Sequence, residues 1–402
     1  MAIAGSPPQT PLNAGRSVPP PSPLGGMDPQ EFLRDYWQRH PILIRGAIPA
    51  FRNPIDGDDL AGLACEPGIR SRIVLGHPDR RDWSVEYGPF DPERFSRLPT
   101  TAWTLLVSGI EHYWPEGPEW LRRFDFVPHW RRDDLMISYA ARDGSVGPHI
   151  DAYDVFLFQA QGRRRWQIQE PPPQSPICLP ALPLAILRHF EATREWVLEP
   201  GDMLYLPPGI PHLGMSLDEE CMTWSIGFRA PAWRDLVGGF LEDRLDSVGP
   251  ERVSDPGREP SVHPHELDAS DLAALRAGLI ERLQLQPTAL DRFLGEFLSR
   301  AQQDHTGEQG PVRDGGDPPA ELDSTTRYRL DPELRRYWIR NDAGVVLFVA
   351  GRSLAAPGLS AAAAEFFCAA ETLVPEEWST ALPELEPVLR ELLENGLIEP
   401  HA

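Results

Sequence analysis

Three residues open a route to chemistry. In Gly147-Pro148-His149-Ile150-Asp151 a turn enters a strand. Side chains alternate faces along a strand, so His149 and Asp151 project to the same side. An imidazole nitrogen beside a carboxylate oxygen makes two ligands for a divalent transition metal. A third is available from His212, in Tyr205-Leu206-Pro207-Pro208-Gly209-Ile210-Pro211-His212. Two histidines and one carboxylate on one face of a metal leave its other face open, the arrangement of non-haem Fe(II) oxygenases. A His-x-Asp pair alone arises often by chance, so the elements around it have to carry the assignment.

Those elements read as a barrel. Asp154-Val155-Phe156-Leu157-Phe158-Gln159 is an apolar strand, Gln161-Gly162 is a turn, and Arg163-Arg164-Arg165-Trp166-Gln167-Ile168 is the next strand. In that second strand Arg164 shares a face with Trp166 and Ile168. If the apolar face points into a barrel, Arg164 points in too. A buried arginine needs an anion, and a planar guanidinium grips a carboxylate bidentately. Metal ligands and a carboxylate clamp facing one cavity suit 2-oxoglutarate bound to iron.

Several stretches carry a family resemblance: Met136-Ile137-Ser138-Tyr139, Gly147 through Phe156, Gln159 through Trp166, Gly201-Asp202-Met203 through His212, and Tyr36-Trp37-Gln38-Arg39-His40-Pro41 through Ala47. With them the chain resembles the JmjC-type 2-oxoglutarate oxygenases. It is most similar to the bacterial ribosomal oxygenases that hydroxylate an arginine of a large-subunit ribosomal protein of the L-sixteen type. The resemblance is strong over residues 27–230 and continues by general layout. It implies Fe(II), 2-oxoglutarate and O2 as cofactor and cosubstrates, held by His149, Asp151, His212 and Arg164, and it favours Ser138 as a hydroxyl beside the clamp. It implies a mainly β, double-stranded β-helix (jelly roll, cupin/JmjC) and a helical segment that dimerises. Two rivals stand beside this reading: a hydroxylase of a histidine or another residue in another ribosomal protein, and a non-catalytic metal-binding cupin scaffold.

The rest of the chain falls into segments. Residues 1–26, with seven prolines and four glycines, read as a disordered tail, and Met27 is an alternative start. The catalytic domain is expected over 27–230. Asp28-Pro29-Gln30-Glu31 opens its first helix, and Cys221 to Phe228 is its last strand. Residues 174–190 read as a proline-broken excursion with a short helix near Leu184–His189. His112 and His129 read as loop histidines among aromatics, and Cys221 as a core residue. From Trp233 the period changes from two to about 3.6. A helical segment over 231–301 is expected, with Leu236, Val237, Phe240 and Leu241 on one stripe and Leu272, Leu275, Leu279 and Leu283 inward on another. His263-Pro264-His265 reads as loop. A linker over 302–325 leads to a winged-helix-like α+β domain over 326–402.

Composition narrows the partners. The net charge is −22, and all 38 basic residues are arginine. Any cationic anchor for a cosubstrate is therefore Arg or His. Nucleic acid is a poor partner for so acidic a chain, and a basic protein is a better one. From Asp331 onward the chain has 12 acidic and 5 basic side chains, which argues against DNA binding by the last domain. No apolar run has the length of a membrane span. Four dispersed cysteines without a CxxC pair suit a reduced, cytoplasmic setting.

Overall fold

The computed structural model describes residues 20–401, apart from 81, 181, 183, 255, 257–264, 266, 268, 301–321, 332 and 343. Residues 1–19 of the expected tail, His263 and residues 302–321 of the expected linker lie outside the described residues. The chain divides into two compact units, Met1–Ala230 and Pro231–Ala402.

The first unit holds helices α1 (Pro29–Asp35), α2 (Gly57–Leu63), α3 (Glu93–Ser96) and α4 (Gly117–Leu121). Its strands are β1 (Ile42–Ile44), β2 (Ser71–Leu75), β3 (Ser84–Tyr87), β4 (Trp103–Val107), β5 (Arg132–Ala140), β6 (His149–Ile150), β7 (Asp154–Gln161), β8 (Arg164–Ile168), β9 (Arg194–Leu198), β10 (Met203–Leu206), β11 (Pro211–Ser216) and β12 (Cys221–Phe228). An eight-stranded sheet runs β1-β10-β7-β12-β5-β4-β2-β3, and a four-stranded sheet runs β6-β11-β8-β9. From β5 onward the chain shuttles between the two sheets, as a double-stranded β-helix does. Asp28 caps α1 by accepting from the Gln30 backbone N–H at 2.7 Å.

Alternation along the strands sorts side chains between two cores. Phe156 and Phe158 of β7 and Met222, Trp224, Ile226 and Phe228 of β12 turn outward, under the helices, into a cluster with Phe32 and Tyr205. The Phe32 ring lies 4.9 Å from Tyr205 and 5.5 Å from Phe156. Each fully buried ring there contributes about 2–3 kcal/mol by leaving water. The opposite face of β7 sends Val155 and Leu157 inward, against Trp166 and Ile168 of β8 and Leu204 and Leu206 of β10. The space between the two sheets is therefore the face of β8 that carries Arg164.

The excursion between β8 and β9 contains no helix near 184–189. Its backbone bonds sideways: Leu179 N–H donates to Ile186 O at 2.8 Å, and Leu187 N–H donates to Pro148 O at 2.7 Å. Partners across the turn and on the strand of His149 satisfy these groups, so apolar composition alone did not make a helix.

The second unit contains α5 (Trp233–Ser247), α6 (Ala269–Leu283), α7 (Pro287–Ser299), β13 (Arg327–Leu330), β14 (Arg336–Asn341), β15 (Gly344–Val349), β16 (Arg352–Leu354), α8 (Ala361–Ala369), β17 (Thr372–Leu373), α9 (Glu386–Glu394) and β18 (Ile398–His401). Helix α7 seats on the β14-β15-β16 sheet. Ser353 Oγ donates to Glu296 at 2.8 Å and Gly351 N–H donates to Ser299 Oγ at 3.0 Å. The leucines of α6 are mostly not inward: Leu272, Leu275 and Leu279 are exposed and Leu283 is half-buried, because among the described residues little covers that stripe. No described helix is long and apolar enough to cross a membrane.

Candidate metal centre

His149 and His212 face each other as directly opposed residues of the antiparallel β6–β11 pair, with ring centroids 4.2 Å apart. Asp151 lies one residue beyond β6, and its backbone carbonyl accepts from Gly209 N–H at 2.8 Å. That bond ties the two ligand-bearing loops together. Gly209 has φ +86°, a left-handed conformation in which a side chain is strained. Gly147, at φ +81°, makes the tight turn into His149.

Among the described residues, His149, Asp151 and His212 offer one ligand atom each, all within 4.8 Å of one another. His212 Nε2 is 3.5 Å from one Asp151 oxygen and His149 Nε2 is 3.8 Å from the other. Bonds of about 2.1 Å to one first-row ion allow its ligands to stand up to about 4.2 Å apart, so both gaps fit a shared ion. The tautomers fit as well. His149 Nδ1 and His212 Nδ1 each lie 3.0 Å from a backbone carbonyl, of Gly147 and Ile210 respectively. A carbonyl only accepts, so each Nδ1 carries the hydrogen and each Nε2 presents a lone pair to the cluster. Burial, with His149 alongside, pushes the His212 imidazole down to about 4. The ring is neutral near pH 7, as a metal ligand must be.

Arg164 enters the inter-sheet space from β8 and is 2% exposed. Its Nε and Nη1 have no partner, and Nη2 reaches the Gly214 carbonyl only at 3.5 Å. The Trp166 ring flanks the guanidinium with 5.2 Å to its centroid. A Cβ on Gly214 would stand 2.8 Å from Arg164 Nε and 2.7 Å from Trp166, so glycine there keeps the cradle open. Burial lowers the Arg164 pKa, yet guanidinium stays charged in proteins. A buried cation with two unused N–H groups lacks an anion, and a dicarboxylate supplies one.

Ser138 lies on the inward face of β5, opposite Thr223 of β12, which is in turn opposite Gln159 of β7. Its hydroxyl donates to the Thr223 carbonyl at 3.3 Å. His129 pairs with Asp125 at 2.9 Å, and His112 stacks edge-on with Tyr113. Neither joins the cluster. Cys221 is fully buried.

Sequence reasoning missed a group beside the ligands. Asp134 shares the inward face of β5 with Ser138, and Tyr153 follows Asp151 by two residues. The charges of Asp151, Asp134, Arg229 and Asp133 all act on the Tyr153 hydroxyl, whose pKa burial raises. Burial, then the charge of Glu111, pushes the Asp134 carboxyl up to about 7. Burial likewise pushes Glu111 up to about 7. The alternation of Asp134, Met136 and Ser138 toward the same face was the available signal.

A double-stranded β-helix with a two-histidine, one-carboxylate cluster and a buried, unpaired arginine inside defines a class, the Fe(II)- and 2-oxoglutarate-dependent oxygenases. A family model, the JmjC domain, matches residues 119–236. The chain is 40% identical over 275 residues to the ribosomal protein uL16 3-hydroxylase of Escherichia coli, across 68% of this chain and 72% of that protein. It is 38% identical over 213 residues to a probable ribosomal oxygenase of Haemophilus influenzae, across 53% of this chain and 52% of that one. The structure of YcfD, a ribosomal oxygenase from Escherichia coli in complex with cobalt and 2-oxoglutarate, superposes with TM-score 0.74 at 32% identity, covering 94% of this chain and 99% of that chain. The chain belongs to the JmjC-domain oxygenases, in their bacterial ribosomal-oxygenase branch.

Proposed function

We propose that the chain hydroxylates an arginine side chain of a large-subunit ribosomal protein of the L-sixteen type, using Fe(II), 2-oxoglutarate and O2. The observation that carries this is three convergent ligand atoms and a buried guanidinium without a carboxylate partner, borne on the paired strands β6, β11 and β8. His149, Asp151 and His212 hold the iron. Arg164 takes the far carboxylate of 2-oxoglutarate, and Ser138 exchanges its long bond to the Thr223 carbonyl for one to the same group. When bound, iron with 2-oxoglutarate and O2 supplies the oxidant for C–H hydroxylation, releasing succinate and carbon dioxide. The chain orients the reactants and excludes water. The ligands sit at graded depth, His212 buried and His149 and Asp151 partly open, so substrate approaches from their side. A metal-binding scaffold gives no use to an unpaired arginine at such depth.

Asp134, which lies 3.9 Å from Arg70, suits a guanidinium substrate, and the Tyr153 ring beside it already carries the Arg229 guanidinium at 4.9 Å. A carboxyl raised to about 7 is protonated at lower pH and ionised above it. The KM for an arginine-bearing peptide is therefore expected to fall as pH rises from about 6 to about 8. Asp134→Asn should raise that KM about tenfold at the upper end and flatten the profile, because a charge-assisted hydrogen bond is lost. Steady-state assays across this range check it, and an unchanged profile in the variant places substrate recognition elsewhere.

The same reading includes a homodimer in the cytoplasm. Trp233, Val237, Leu241 and Leu245, spaced by four along α5, are all exposed in the single chain, Trp233 at 82% and Leu245 at 70%. Such a stripe fits a second copy. Light scattering of the full chain is expected to give twice the monomer mass, and Trp233→Glu with Leu245→Glu the monomer mass. The acidic last domain favours protein contact over DNA.

The deciding experiment is mass spectrometry of ribosomal proteins incubated with the enzyme, Fe(II) and 2-oxoglutarate. A gain of one oxygen on an arginine of the L-sixteen-type protein, dependent on 2-oxoglutarate, is expected. A gain on a histidine or on another protein moves the target. No gain and no 2-oxoglutarate consumed favours the scaffold.

A further inference from the structure

Gln159 is fully buried on the inward face of β7, and its amide is saturated. Nε2 donates to Gln161 O at 2.8 Å and to Gly162 O at 3.0 Å, and it rests 3.3 Å from Cys221 Sγ. Oε1 accepts from Thr223 Oγ1 at 3.2 Å. One side chain thus binds the β7–β8 turn to two inward residues of β12. Arg164 lies two residues past that turn, and Cys221 in turn contacts the Arg164 guanidinium.

A buried guanidinium lacking a carboxylate takes whatever carbonyls lie in reach. Here it reaches the Gly214 carbonyl at 3.5 Å, while Gln159 fixes the turn from which the strand of Arg164 starts. We propose that Gln159 is a positioning residue for the cosubstrate clamp: it fixes the β7–β8 turn and seats Cys221, so that Arg164 is held with Nε and Nη1 turned to the far carboxylate of 2-oxoglutarate. The proposal rests on the reading that Arg164 binds that carboxylate. With the amide gone, the turn and Cys221 lose their anchor, and the guanidinium loses the orientation that meets the carboxylate. The effect falls on cosubstrate affinity and spares the chelating end of the molecule.

The test is calorimetric titration of the full chain loaded with Mn(II), which holds the ligand without turnover. Two ligands are compared: 2-oxoglutarate, and 2-oxobutyrate, which keeps the chelating end and lacks the far carboxylate. Gln159→Met is expected to weaken 2-oxoglutarate about tenfold and to leave 2-oxobutyrate as in the parent. Gln159→Glu should weaken 2-oxoglutarate further, since an ionised carboxylate cannot donate to the turn carbonyls and is repelled by them. Parental 2-oxoglutarate affinity in Gln159→Met, or equal weakening of both ligands, overturns the proposal. If Gln159→Met loses its cooperative melting transition, Thr223→Val decides. That variant removes one bond to the amide, and selective weakening of 2-oxoglutarate supports the proposal while parental affinity overturns it. Arg164→Met separates the underlying reading: should it bind 2-oxoglutarate as the parent does, the clamp assignment fails, whatever Gln159 does.

Discussion

Turnover is expected to vanish in His149→Ala and in Asp151→Ala while the fold survives. Both side chains stand at the open rim of the cluster, 25% and 19% exposed. Removing a partly solvated side chain at a strand end changes stability by about 1 kcal/mol or less. His212 is the poorer choice for this test. It is 2% exposed, so alanine there leaves a cavity as well as a missing ligand. The chemistry offers no substitute donor: among the described residues the cluster has three members. The measurement pairs the mass-gain assay with cobalt(II) absorption, which reports metal binding without turnover. Retained activity in both variants would remove the iron assignment.

The second large effect separates function from stability. Arg164→Met is expected to weaken 2-oxoglutarate binding about a hundredfold or more, because two charge-assisted hydrogen bonds, each of about 1.5–3 kcal/mol, are lost together. The same change is expected to leave the melting temperature of the ligand-free protein unchanged or to raise it. A buried cation without a partner carries an uncompensated desolvation penalty, and an apolar side chain of similar length removes it. Arg164→Lys does not rescue binding, since an ammonium has no planar fork to match a carboxylate. Paired calorimetry and thermal melting read both halves. An unchanged 2-oxoglutarate requirement places the clamp elsewhere, and a large fall in melting temperature makes Arg164 a structural residue.

Much of the site was legible because its signals are local. The spacing of His149 and Asp151, the Pro-Pro-Gly turn before His212 and the alternation that turns Arg164 inward each need only a few neighbouring residues. Asp134 was signalled by the alternation of β5 but its surroundings were not, and Gln159 was illegible. Their roles depend on which strands pair: Gln159 matters because β12 lies beside β7 and the turn to β8 folds back over it, and no short window records that. Leu184–His189 looked helical because apolar residues between prolines resemble a short helix when the backbone partners, Pro148 among them, are out of sight. The leucine stripe of α6 was expected inward on the premise that apolar residues find cover within their own chain, and among the described residues Leu272, Leu275 and Leu279 stay exposed.

Strand β12 has a consequence for how such an enzyme can change. Its large residues, Met222, Trp224, Ile226 and Phe228, anchor the wall from outside, while Cys221, Thr223, Ser225 and Gly227 line the hollow. Stability and chemistry are thereby written on alternate letters of one eight-residue word. Substitutions at the odd-numbered positions reshape the chamber without loosening the aromatic layer behind it. Changes at Cys221 and Thr223 act on the Gln159 contacts that support the clamp, whereas changes at the even-numbered positions act on the aromatic layer.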